Sequence, residues 1–230
     1  SELALFKKSL PTEAASRLHI LRCDLRDDAS VLAAAASVAA TGASAVDLLL
    51  NVSGILHSAD GSGSSSSKGG MKVRKQPERS TRDLSSEWLM ESYRTNAVGP
   101  LMVASAFAPL LRNSGASDAA ASAGAAGAAV GGGVVAGGGG GAGRGGGGQV
   151  VNLSARVGSI SDNRLGGWYS YRMSKSALNQ ATRTLSIELK RQGTRVHALH
   201  PGTCETGLSQ PFQRNVKPEK LFSKEYAVSM

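Results

Sequence analysis

Tyr171-Arg-Met-Ser-Lys175 sets a phenol and a primary amine four residues apart. On a helix that spacing puts both side chains on one face, with Cβ atoms about 5–6 Å apart. A free phenol titrates near pH ~10 and is a poor base at neutral pH. An adjacent ammonium favours the phenolate and draws the group toward the range where it can exchange a proton with a carbonyl or alcohol oxygen. The same pair equally suits a solvated lysine beside a half-buried tyrosine, so its meaning depends on what the rest of the chain brings to it.

The elements that would position the pair follow from hydrophobic patterning. Arg17–Cys23 reads as a short strand ending at Asp24, Ser30–Ala40 as an Ala/Val/Leu-rich helix, and Val46–Leu50 as a strand closed by Asn51-Val52-Ser53-Gly54. A long helix fits Ser85–Arg112, a strand Gln149–Leu153, a helix Ser170–Arg191, and a strand Arg195–His200 closed by Pro201-Gly202. Fully apolar strands alternating with helices mean β-α-β units, hence a doubly wound, Rossmann-like α/β fold whose parallel sheet is covered on both faces. Ligands of such sheets bind at the carboxyl ends of the strands. Asp24, Asn51–Gly54, Ser154 and Pro201–Thr206 all stand there, which makes their shared edge the expected site. His197 and His200 lie in a strand-like run whose i, i+3 side chains point to opposite faces, so no metal site is expected.

Two stretches fall outside this pattern. Residues 113–149 hold 16 of the 29 glycines, and Gly and Ala fill 27 of these 37 positions, too little side chain to build a core. Residues 58–82 run from Ser/Gly into six Lys/Arg against Asp60 and Glu78, supplying +4 of the net +9. Both are expected to be disordered inserts in one domain spanning 1–230. The basic run Lys68–Arg82 has no aromatic residue to stack on bases, so it reads as a solvated loop and not as a nucleic-acid surface. No window of 18 apolar residues suggests a membrane span. Cys23 and Cys204 form no C-x-x-C and no disulfide framework, which points to a reducing compartment, the cytoplasm by default.

The ordered set of Asp24, Asn51-Val-Ser-Gly54, Asn96, Asn152-Leu-Ser154, Tyr171/Lys175 and Pro201-Gly202-Thr203-Cys-Glu-Thr206 resembles the short-chain dehydrogenase/reductase family, with its N-N-A-G, N, S, Y-x-x-x-K and P-G-x-x-x-T signatures in sequence. Val151–Asn179 resembles the C-signal and sniffer-like carbonyl reductase branch. The resemblance implies hydride transfer between NAD or NADP and a small carbonyl or alcohol substrate. It implies Tyr171 as general acid/base, Lys175 as the group that tunes it and binds the nicotinamide ribose, Asn96 as a relay and helix-bend residue, and Ser154 as a hydrogen-bond donor. Asp24 and Leu25 would meet the adenine, Asn51, Val52, Ser53 and Gly54 would line the adenine-ribose side, and Pro201, Gly202, Thr203 and Thr206 would cover the nicotinamide. Homodimers or homotetramers through the helices bearing Asn96 and Tyr171 are also implied.

Three departures accompany it. The family's T-G-x-x-x-G-x-G pyrophosphate loop has no counterpart before Arg17, and Gly141-Ala-Gly143-Arg-Gly-Gly146, which fits G-x-G-x-x-G by letters, precedes a strand where the loop should open a helix. The family's serine falls on Ala155, leaving Ser154 or Ser159 to replace it. The sheet is expected to be incomplete at both ends, leaving a normally central strand as an edge. The competing reading is therefore a catalytically impaired or non-enzymatic scaffold or signalling relative.

Overall fold

The computed structural model describes Lys8 and residues 10–56, 77–111 and 147–229. Residues 112–146, which include the Gly141–Gly146 stretch, and 57–76 lie outside the described residues, and with them most of both expected inserts. Structure resumes earlier than expected after the first insert. Pro77 and Glu78 are buried, and Asp83 Oδ2 accepts hydrogen bonds from the backbone N–H groups of Arg79 and Ser80, each at 2.9 Å. Residues 77–82 thus form a capped turn, because a carboxylate three residues beyond Ser80 satisfies the free amides at its start.

Helix α1 (Thr12–Ser16) precedes a stretch without regular structure, then α2 (Asp28–Ala40). Asp27 caps α2 by accepting from Ala29 N at 3.0 Å, and Val31, Ala34 and Ala35 bury its inner face. Arg17–Cys23, expected as a strand, is not one. It has no ladder partner among the described residues, and a strand without a partner leaves its backbone groups to water. Ile20 and Leu21 are accordingly exposed.

Strands β1 (Leu48–Asn51), β2 (Gln149–Leu153) and β3 (Arg195–Leu199) form a parallel sheet in the order β1-β2-β3. Their registers pair Asn51 with Asn152 and Leu153 with Leu199, so the strand ends carrying the expected site are level. Between β1 and β2 lie α3 (Ser86–Tyr93), a π-helical turn Arg94–Val98 and α4 (Gly99–Phe107), and between β2 and β3 lies α5 (Tyr169–Glu188). Val150 and Val196 pack with Ala104, Leu111, Leu185 and Leu189, while Leu49 and Phe107 close the edge of this core. Leu48, Leu50 and Leu199 occupy the alternate positions and are exposed. Among the described residues the sheet is therefore covered on one face where two were expected, and β1 is an edge strand.

Gly148 shows why glycine ends the second low-complexity stretch. A Cβ there would lie 2.4 Å from Val46 O, and its N–H reaches Leu111 O at 2.8 Å, so only bare backbone fits between the incoming chain and β1. After β3 come β4 (Thr203–Cys204) and β5 (Leu221–Phe222), paired in parallel, and α6 (Lys224–Ser229).

Candidate active site

The expected helix Ser85–Arg112 is interrupted at Arg94–Val98, and the interruption builds the site. Pro100 has no N–H to return to Asn96 O, and the turn widens so that Gly99 N–H bonds Arg94 O, five residues back. Asn96 lies inside this wide turn, fully buried. Its Oδ1 accepts from Ile55 N at 2.7 Å, and its Nδ2 donates to Ile55 O at 2.8 Å and to Ser174 Oγ at 3.0 Å. One amide thereby joins the segment after β1 to the helix bearing Tyr171. Asn96→Ala would strand both backbone groups of Ile55, and an unfolding free energy lower by about 2 kcal/mol is expected in urea titrations.

Tyr171 and Lys175 stand on the buried face of α5, 8% and 3% exposed. Lys175 Nζ donates to Leu153 O at 2.7 Å, off the end of β2, and lies 5.7 Å from the centre of the Tyr171 ring. Gly54 closes against the same groups, since a Cβ there would sit 3.3 Å from Asn96 Oδ1 and 3.5 Å from Lys175 Nζ. Burial dominates the electrostatics. It pushes the Tyr171 phenol up to about 12 and the Lys175 ammonium down to about 8. The expected lowering of the phenol by its neighbour is outweighed in this state by desolvation, which keeps the Tyr171 hydroxyl protonated at physiological pH.

The other expected residues divide. Asn51 Nδ2 donates to Asn152 Oδ1 at 2.8 Å and to Pro100 O at 3.2 Å, and Asn152 Nδ2 donates to Thr182 Oγ1 at 2.9 Å, a buried amide ladder fixing β1, β2, α4 and α5 together. Val52 and Ser53 are exposed beyond it. Ser154 Oγ is buried and donates to Asn179 Oδ1 at 2.6 Å, so its proton is committed away from Tyr171. Ser159 Oγ lies at the surface, 3.3 Å from Ser161 Oγ. Gly202 needs its φ of +80° and its missing Cβ, because Phe222 covers it. Thr203 and Thr206 flank a turn gathered by Ser209, whose Oγ donates to Cys204 O and receives the Thr206 N–H at 3.2 Å.

Asp24 is turned to local partners. Hydrogen bonds from Arg26, side chain first and backbone second, hold its carboxyl below the usual carboxylate range. Arg26 continues to Glu91 on α3 at 3.3 Å, and Leu25 packs against Gly99, so this pair sits beside α3 and α4. Three residues at the site had no role in the sequence reading: Ser174, Trp168 and Glu78. Ser174 sits inside the Tyr/Lys motif, one turn from Ser170, where small polar residues let α3 approach α5. Trp168 and Glu78 carry no local signal, since what joins them is a contact across 90 residues.

The family described as enoyl-(acyl carrier protein) reductase matches residues 142–229. C-signal of Myxococcus xanthus is 32% identical over 123 residues, 54% of this chain and 55% of that protein. A 1-hydroxy-2-glutathionyl-2-methyl-3-butene dehydrogenase of Rhodococcus sp. (strain AD45) is 43% identical over 60 residues, 26% of each chain. Among solved structures, NADPH-bound carbonyl reductase from chicken fatty liver superposes with a TM-score of 0.67 at 25% identity, over 99% of this chain and 71% of that one. The chain is similar to short-chain dehydrogenases/reductases, in sequence over part of its length and in fold over nearly all of it. Carbonyl reductase Sniffer of D. melanogaster agrees, with a TM-score of 0.62 at 29% identity over 91% of this chain and 69% of that one. The family's Rossmann-like α/β fold is the one observed. The chain spans about half or less of the length of these two curated relatives. No described helix is long and apolar enough to cross a membrane.

Proposed function

We propose that this chain carries the proton-transfer half of an oxidoreductase site that interconverts a small carbonyl compound and its alcohol with NAD or NADP. The observation that carries the reading is the meeting of Tyr171, Lys175, Asn96 and Gly54 at the carboxyl ends of β1 and β2. The similarity to a carbonyl reductase solved with NADPH supports the cofactor. The donor set fits the nicotinamide end of such a molecule. An ammonium has three N–H donors, and Lys175 commits one of them to Leu153 O, leaving two for ribose hydroxyls. Gly202 and Thr203 would cover the ring, Thr206 its amide side, and Asn51–Gly54, Asp24 and Leu25 the remaining length.

When bound, the nicotinamide supplies or accepts the hydride. Tyr171 then delivers its phenolic proton to the substrate oxygen during reduction, or takes the alcohol proton during oxidation. Lys175 stabilises the phenolate so formed by its charge, and Asn96 holds the loop and helix on either side in place. Assembly as a homodimer or homotetramer, a cytoplasmic location and a single domain belong to the same proposal.

Titration of the chain with NADH and NADPH, followed by turnover assays with short aldehydes and ketones, tests the reading. Saturable enhancement of reduced-cofactor fluorescence and ketone-dependent cofactor oxidation are expected. Failure to bind either cofactor would leave kinship without activity. The impaired or scaffold reading has its own support in Ala155 and in the commitment of Ser154 to Asn179, and it predicts cofactor binding or partner binding without turnover.

A further inference from the structure

Among the described residues the buried charged side chains are Lys175 and Glu78. Lys175 has its place in the reaction, whereas Glu78 lies in a stretch that composition alone assigns to a solvated loop. Glu78 is 0% exposed, and its Oε1 has no hydrogen-bond partner. Its Oε2 accepts from Ser170 N at 3.4 Å and its backbone carbonyl accepts from Trp168 N at 2.6 Å. Trp168 caps α5 without any side-chain hydrogen bond of its own, so Glu78 serves the start of that helix from 90 residues away. A carboxylate at a helix N-terminus is also favoured by the helix dipole.

The segment it grips is unusual. Gly166, Gly167 and Trp168 are successive left-handed residues, with φ of +65°, +64° and +53°, and Trp168 is the one non-glycine with positive φ among the described residues. Such a conformation is uncommon for a bulky side chain and persists only where the surroundings impose it. Gly167 lies against the Glu78 carbonyl, where a Cβ would come within 3.2 Å. The outcome of this arrangement is the placing of one indole. Trp168 lies 6.4 Å from the Tyr171 ring, edge-on at 69°, and 5.0 Å from Phe212, which stands on the turn Gln210–Asn215. Both Trp168 and Phe212 are half-buried, so they form a wall with a free side and not a filled core.

We propose that Glu78 is a positioning residue that holds Trp168 beside Tyr171, and that the Trp168–Phe212 wall makes the substrate pocket selective for flat, apolar carbonyl compounds. The proposal rests on the oxidoreductase reading for its reaction and on ring geometry for its selectivity. A planar aryl group gains edge or face contacts from two aromatic rings that a small alkyl chain cannot match.

The test compares acetophenone with butanone in the full chain and in Trp168→Ala, Trp168→Phe, Glu78→Gln and Glu78→Ala. In Trp168→Ala the ratio of kcat/KM for acetophenone over butanone is expected to fall about tenfold, mainly through the KM for acetophenone. Glu78→Ala should lower that ratio about threefold, and Glu78→Gln, which keeps an oxygen acceptor at the same reach, should restore it. The emission difference between wild type and Trp168→Phe isolates Trp168, and its quenching by acetophenone reads binding without turnover. An unchanged ratio in Trp168→Ala overturns the pocket. A less stable Glu78→Ala with an unchanged ratio overturns the role of Glu78. Quenching without turnover in the wild type sinks the oxidoreductase reading and leaves the aromatic pocket standing.

Discussion

Tyr171→Phe is expected to lower turnover about 10²- to 10⁴-fold while cofactor affinity changes less than twofold. The substitution removes one oxygen from a ring that is otherwise packed against Trp168 and held on the inner face of α5, so the helix and its neighbours have no cause to move. The direction of the reaction sharpens the expectation. Burial pushes the phenol up to about 12, so it holds its proton throughout the neutral range. Carbonyl reduction consumes that proton and should show no loss of rate from Tyr171 ionisation between pH 6 and 9. Alcohol oxidation needs the phenolate and should accelerate with pH over the same interval. Steady-state rates in both directions, with cofactor affinity measured separately by fluorescence, check this. A Tyr171→Phe variant within threefold of wild type would remove Tyr171 from the chemistry.

What the sequence disclosed follows physical range. β2 was legible to the residue because Val150, Val151 and Leu153 form a short β-branched and apolar stretch bounded by glycine and by polar Ser154, and β3 was legible within one residue. The Tyr171/Lys175 face was legible because helical spacing is a local property. Arg17–Cys23 has strand-like composition, but a strand exists only with a neighbour to pair with, and composition does not report neighbours. The π-helical turn at Arg94–Val98 had a local cause in Pro100, yet its consequence, the aiming of Asn96 at Ile55 and Ser174, is tertiary. Glu78 is the sharpest case. Six basic residues around it suggested solvent, while its fate was set by backbone amides of Trp168 and Ser170 far along the chain. The amide ladder Asn51–Asn152–Thr182 was half visible, since both asparagines stand at the ends of strands, but only the register pairs them.

Lys175 supplies the second large expectation, and it concerns stability. Burial brings its ammonium down from 10.5 to about 8, while in the unfolded chain it titrates at its ordinary value. Between those two limits the unfolded chain binds more protons than the folded one, so stability climbs as pH rises from about 8 toward 10.5. Below pH 8 both states are protonated, and the folded state carries the whole cost of a buried cation. A displacement of about 2.5 pKa units at about 1.4 kcal/mol each makes that cost roughly 3 kcal/mol. Tyr171 acts with the opposite sign, because its raised value makes the folded state hold a proton that the unfolded chain loses above pH 10. The clean window is therefore pH 8 to 10. Urea unfolding of wild type and Lys175→Met across that window should show the wild type gaining about 2–3 kcal/mol relative to the variant, which has no ammonium to desolvate. Equal slopes in the two proteins would mean that Lys175 is solvated, and with it would go the dry setting in which the ammonium can steady a phenolate at Tyr171.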